Sequence, residues 1–85
     1  MKIMFSDHAW EDYQYWQSND RKILKRIKSL IKETIRNPFE GIGKPEPLKH
    51  ALSGYYSRRI TEEHRFIYKV TEDFIYIAQL RYHYK

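Results

Sequence analysis

Cysteine is absent from the chain, glycine and proline occur three times each, and no apolar run is long enough to cross a membrane. Without cysteine there is no disulfide and no thiolate metal site, which suits a reducing cytosol. With no basic-then-apolar leader at its start, the chain reads as cytoplasmic, with no membrane partner. Metal-ligand spacing is also lacking. His8, His50, His64 and His83 are scattered, with no H-x-x-x-H pair and no H-x-E accompanied by cysteines, so no metal and no cofactor are expected. Gly41-Ile42-Gly43 lacks the further glycine and the strand-to-helix setting of a phosphate-binding loop, and no serine sits in a nucleophile elbow.

What is present fits one small folded domain spanning residues 1–85. Eighty-five residues allow a modest core, and 16% aromatic content argues against disorder. The net charge of +5 is unevenly spread. Residues 1–20 set Lys2 against Asp7, Glu11, Asp12 and Asp20, a balance of −3, whereas residues 21–36 set seven basic side chains against Glu33, a balance of +6. Clustered positive charge favours an anionic partner, nucleic acid being the commonest, although a basic helix face is often only a solvated one.

Lys2 to Phe5 reads as a strand. Ser6 then offers an N-cap oxygen, and Phe5 and Trp10 occupy the two positions of a hydrophobic staple. Ala9, Tyr13 and Trp16 recur on one face of a short helix, which Ser18-Asn19-Asp20 breaks while capping the next. In that second helix Ile23, Ile27, Leu30, Ile31 and Ile35 form the expected core stripe, with Lys22, Lys25, Arg26, Lys32 and Arg36 opposite. Pro38 ends it at Asn37. Residues 37–47 hold all three prolines and two of the three glycines, which predicts a loop of constrained path. Tyr55–Ile60, Arg65–Val70 and Phe74–Leu80 read as strands whose short connections imply an antiparallel meander. The expected fold is α+β, with two N-terminal helices on one face of a small antiparallel sheet. If Val70 opposes Phe74, Arg65 opposes Gln79 and shares a face with Arg81 and His83.

The remaining chemistry is acid–base. Glu46 is held stiffly between Pro45 and Pro47, although a loop glutamate is by itself as ordinary as any surface charge. Strand alternation sends Arg58 and Arg59 to opposite faces, so at most one belongs to a given site. Arg65 starts a strand, where an ion pair with Glu62 or Glu63 is its plain alternative. The tail Tyr82-His83-Tyr84-Lys85 is aromatic enough to need either a core or a ligand, since tails otherwise fray.

The stretch from Asn37-Pro38-Phe39-Glu40-Gly41 through Lys44-Pro45-Glu46-Pro47-Leu48-Lys49-His50 resembles the proline–glycine loop of the Txe/YoeB toxins, in the wider RelE-like group. Leu52-Ser53-Gly54-Tyr55-Tyr56-Ser57-Arg58-Arg59-Ile60, Glu63-His64-Arg65-Phe66-Ile67-Tyr68, the early Trp10-Glu11-Asp12-Tyr13 and the terminal His83-Tyr84 extend the likeness over residues 1–84. The resemblance implies a RelE-like microbial RNase fold and an endoribonuclease that cuts mRNA in the ribosomal A site without a metal. By motif, Glu46 is then general base, His83 general acid, Arg65 the phosphate clamp and Tyr84 the residue orienting the substrate. Lys44, Lys49 and Arg59 fall close to that site, and Lys22, Lys25 and Arg26 would add phosphate contacts from the basic helix. Lys85 is a departure, placed beyond the family's terminal tyrosine. The implied partners are the ribosome and mRNA, a cognate antitoxin, a second copy of the chain, and operator DNA only through the antitoxin. The chemistry is self-consistent, because RNA carries its own 2′-hydroxyl nucleophile and needs only a base, a cation and an acid. A non-catalytic RNA- or ribosome-binding module, or an antitoxin-dependent corepressor, would use many of the same residues.

Overall fold

A computed structural model describes residues 1–83 of the chain. The first strand, β1 (Lys2–Phe5), leads into α1 (Asp7–Asn19) and α2 (Arg21–Arg36). As the sequence predicts, Ser6 caps α1, its Oγ accepting from the Ala9 amide at 3.0 Å, and the Phe5 and Trp10 rings meet edge to face at 5.6 Å. Asp20 is the single residue between the helices. Its backbone amide donates to the Trp16 carbonyl, and its carboxylate accepts from the amides of Lys22 and Ile23. One side chain thus ends one helix and starts the next, with no loop to adjust the angle between them.

The buried stripe of α2 is rotated from the expected one. Leu24, Ile27, Leu30 and Thr34 are buried, Ile23 and Ile31 are half-buried, and Ile35 is 41% exposed. Thr34 can face inward because its hydroxyl donates to the Leu30 carbonyl at 2.7 Å, so its own donor is satisfied.

Among the described residues the sheet has five strands, completed by β2 (Glu46–Pro47), β3 (Tyr56–Arg59), β4 (Arg65–Val70) and β5 (Phe74–Gln79), in the order β1-β5-β4-β3-β2. The α+β class and the meander of β3, β4 and β5 follow the sequence reading. The sheet is mixed rather than wholly antiparallel, because β1 pairs in parallel with β5, Ile3 opposite Ile75. The two helices between β1 and the rest of the sheet provide the long crossover that a parallel pair requires. Glu46 and Pro47, read as loop, form a short edge strand against Ser57 and Tyr56. An edge is where a strand tolerates proline, whose missing N–H costs no ladder bond.

Phe66, Tyr68, Ile75, Ile77 and Leu80 pack with Ala9, Trp16, Leu24, Ile27 and Leu30 into one core between helices and sheet. Alternation then sends the residues between them to the helix-free face. Arg58 points into the helix side and is fully buried. Its guanidinium donates to the carbonyls of Asn37, Glu40 and Ile42 and to the Tyr68 hydroxyl, which itself donates to the Pro38 carbonyl. The proline–glycine segment is therefore pinned from inside by a cation whose partners are mostly carbonyl oxygens. Gly43 completes the pin. It adopts φ +83°, and an added Cβ would lie 2.9 Å from Leu30 Cδ2 and 3.1 Å from Arg58 Cβ.

Candidate active site

The ladder pairings show which expected site residues share the helix-free face. Glu46 lies opposite Ser57, Ser57 opposite Ile67, and Ile67 opposite Gln79, forming one row across four strands. The next row in one direction contains Arg59 directly opposite Arg65. Two residues along a strand advance about 7 Å and neighbouring strands lie about 4.8 Å apart, so the Glu46 backbone stands about 8 Å from that of Arg59 and about 12 Å from that of Arg65. Like charges directly opposed across strands are destabilising without a counter-charge. Arg59 is exposed and Arg65 half-exposed.

Arg65 does not take the ion-pair alternative. Its Nη1 donates to the carbonyls of Thr61, Glu62 and His64 at 2.6, 2.9 and 3.1 Å, folding the guanidinium over the β3–β4 turn. Among the described residues no carboxylate salt-bridges it, so its charge stays available to an anion. His83 reaches the same turn, its Nε2 lying 3.2 Å from the Glu62 carbonyl. One carbonyl thus gathers the guanidinium and the imidazole.

They do not meet through the register the sequence suggested. Val70 opposes Ile75, not Phe74, because Thr71 closes the β4–β5 turn: its amide and hydroxyl both donate to the Phe74 carbonyl, and its Oγ also accepts from the Asp73 and Phe74 amides. A shift between Ile67 and Tyr68 then leaves Ala78 without an opposite residue, so Gln79 faces Ile67 and not Arg65. Arg65 instead donates its amide to the Tyr82 carbonyl. The chain bends beyond Leu80, and Tyr82 takes φ +63°.

That bent tail is held by residues to which the sequence reading gave no part in the site. Asp12 accepts from the Leu80 amide at 3.0 Å and Trp16 Nε1 donates to the Leu80 carbonyl at 2.9 Å. Gln79 Nε2 spans the carbonyls of Arg81, Tyr82 and His83, and buried His64 accepts the Tyr82 amide on Nδ1 at 2.7 Å. Asp12 and Trp16 at i and i+4 of a helix gave one legible signal; His64 and Gln79 gave none before the bend was known. His83 itself is exposed, at a shallow groove of about 330 Å³ lined with His8, Gln79, Arg81 and Tyr82. Tyr84 lies outside the described residues.

Burial lowers the pKa of His64, with Arg81 and His83 adding to the effect and Glu63 and Asp12 opposing it. Accepting the Tyr82 amide also requires an unprotonated Nδ1. The unfolded chain therefore binds more protons below the ordinary value of about 6.5, and stability falls as pH drops from there toward the lowered value. Urea unfolding should record this loss. His64→Asn, whose Oδ1 can accept the same amide without titrating, should flatten the profile in that window. Equal slopes in parent and variant would refute the role given to His64.

Lys49 lies beside Glu46 in a shallow groove of about 370 Å³ with Pro47, Leu48 and His50. Lys44 is exposed, with φ +50°. Lys22, Lys25 and Arg26 belong to the helix layer, across the sheet from these groups. Arg26 alone reaches toward them, its Nη2 donating to the Arg59 carbonyl at 3.1 Å.

Residues 5–84 match the model of the YoeB-like toxins of bacterial type II toxin–antitoxin systems. The chain belongs to the YoeB-like toxin family. It is 62% identical over 84 residues to Toxin YoeB of Escherichia coli strain K12, covering 99% of this chain and 100% of that protein. Two Staphylococcus aureus structures superpose closely: a YoeB dimer (TM-score 0.93, 54% identity) and a YoeB–YefM complex (TM-score 0.92, 53% identity). Each comparison covers 99% of this chain and 98% of the other. Within this YoeB-like toxin, Glu46, Arg59 and Arg65 therefore lie on one sheet face, with the bent tail bringing His83 to its rim.

Proposed function

We propose that this YoeB-like toxin is a metal-independent endoribonuclease that cuts mRNA in the ribosomal A site and so inhibits translation. The observation that carries the reading is the Arg59–Arg65 pair, two cations opposed on the face that also bears Glu46. Such a pair is unfavourable alone and favourable around a phosphate.

In the mechanism Glu46 removes the proton from the 2′-hydroxyl and the resulting oxygen attacks the adjacent phosphorus. Arg65, seconded by Arg59, stabilises charge building on the phosphoryl oxygens. His83 protonates the departing 5′-oxygen, leaving a 2′,3′-cyclic phosphate and a 5′-hydroxyl. Tyr84 orients the substrate, Lys44 and Lys49 bind flanking phosphates, and Lys22, Lys25 and Arg26 supply longer-range attraction. Residues 1–85 act as one toxin domain in the cytoplasm. A cognate antitoxin neutralises it by laying acidic or aromatic residues over the basic face, and operator DNA is reached only through that antitoxin. A second copy of the chain is a further partner, as in the staphylococcal YoeB dimer.

A translation reaction with purified protein and mapped mRNA ends tests the reading. New ends should appear within the A-site codon and persist in excess chelator once magnesium is restored just enough to keep ribosomes intact. Ribosome binding without new ends would favour a non-catalytic module, and strict dependence on a transition metal would overturn the acid–base scheme.

A further inference from the structure

On the helix-free face, the row beyond Glu46 on the side away from the arginines consists of Met4, Tyr76 and Lys69, with Tyr55 next in register. Tyr55 is fixed there because its carbonyl accepts the Leu48 amide at 2.9 Å, extending the β2–β3 ladder by one residue. These four residues, with Thr71 and Phe74, line a shallow hollow of about 320 Å³. Lys69 supplies the only charge in that lining, and its Nζ stands 5.4 Å above the Tyr55 ring centroid. Met4 is 47% exposed, Lys69 is exposed and the two tyrosines are half-buried. Among the described residues neither α1 nor α2 packs on this side of the sheet, and neither ring belongs to the helix-packed core.

We propose that this hollow is a subsite for a nucleobase of the RNA strand flanking the cleaved phosphate, with the base stacked on Tyr55 and its phosphate taken by Lys69. The inference rests on the nuclease reading of the neighbouring row. Its own support is the stride of the sheet. One row is about 7 Å, comparable to one extended nucleotide, so a strand whose reacting phosphate sits between Glu46 and Arg65 brings its neighbour onto Tyr55. Charge agrees with that path: Arg59, Arg65 and Lys69 line it, and the carboxylate between them is the one assigned as base. Cation and ring are already paired. The incoming base takes the ring face, and the flexible ammonium swings from π-cloud to phosphate at little cost. Aromatic stacking tolerates any base, so the subsite adds affinity without fixing sequence. Tyr76 and Met4 form the far wall.

The test is cleavage of mRNA on programmed ribosomes by the parent and by Tyr55→Leu, using intact mRNA and mRNAs carrying one abasic nucleotide at successive positions around the cut. On intact mRNA, Tyr55→Leu should lower kcat/KM about 10-fold, the scale of one lost base–aromatic stack. One abasic position should slow the parent by a similar factor and slow the variant no further. Lys69→Gln should reduce the salt dependence by about 0.7 log unit, one single-strand phosphate contact. Unchanged circular dichroism and unfolding midpoints establish that the variants are folded. Parental kcat/KM for Tyr55→Leu, or additive abasic and Tyr55→Leu losses, overturns the subsite and leaves the nuclease reading standing. So does a variant that cuts normally but sediments as a smaller species, which makes the hollow a protein interface. If the parent itself produces no mRNA ends, the nuclease reading falls and the subsite falls with it.

Discussion

Glu46→Gln and His83→Gln should each slow mRNA cleavage on the ribosome by about 10²–10⁴-fold while leaving ribosome binding nearly intact. Glutamine matches the size of glutamate but cannot take the 2′ proton, and in place of histidine it can donate a hydrogen bond but not a proton. Neither side chain belongs to the core, and among the described residues His83 makes only one exposed side-chain contact, with the Glu62 carbonyl. Both are exposed, and Glu46 enters the ladder through its backbone opposite Ser57. Unfolding midpoints should therefore stay close to the parent's. Glu46→Gln should bind at least as tightly as the parent, since it removes a negative charge next to phosphate. Single-turnover cleavage with saturating ribosomes separates the effects, because a loss made only in the transition state appears in the rate and not in the half-saturation point. Near-parental rates for both variants would remove these residues from the mechanism.

Arg58→Met should be the most damaging single substitution for stability, at about 3 kcal/mol or more. Methionine fills part of the volume but restores none of the four hydrogen bonds that Arg58 donates to Asn37, Glu40, Ile42 and Tyr68. Hydrogen bonds made by a charged donor contribute about 1.5–3 kcal/mol each, and carbonyls left unpartnered inside the protein add their desolvation cost. The loss spreads to the site, because the segment released from Asn37 to Ile42 leads directly to Glu46. Urea unfolding and cleavage rate should therefore both fall. Arg59→Met, one residue along and on the other face, should lower cleavage with little effect on the unfolding midpoint. Equal stability losses at the two positions would contradict the burial of Arg58 and the exposure of Arg59.

Period-two alternation separates Arg58 from Arg59, but nothing local says which of them faces the helices. Burial of Phe66 and Tyr68 opposite Arg58 and Tyr56 settles that. Ser6, Asp20 and Pro38 set helix ends through their own side chains or ring, so α1 and α2 were legible with near-correct bounds. The α2 stripe was legible in kind but turned in detail, since Leu24 and Thr34 are chosen over Ile35 by the surface they meet.

By itself the sequence determined the two capped helices, the constrained proline–glycine segment, the three antiparallel strands and, through a long motif, the family. Tertiary structure alone decided the parallel seat of β1, the edge strand that brings Glu46 onto the sheet, and the docking of the tail. The physical reason is clearest at Ala78. From Ile75 and Ile77 strict alternation would send Gln79 inward and Leu80 outward. The unpaired Ala78 reverses this, putting Leu80 into the core and Gln79 opposite Ile67 on the site face. A bulge depends on partners distant in sequence: Ser6 Oγ donates to the Ala78 carbonyl, and Asp12 and Trp16 hold the Leu80 backbone. Local propensity cannot encode that choice, because the same residues extend equally well with or without the extra one until α1 is packed beside them.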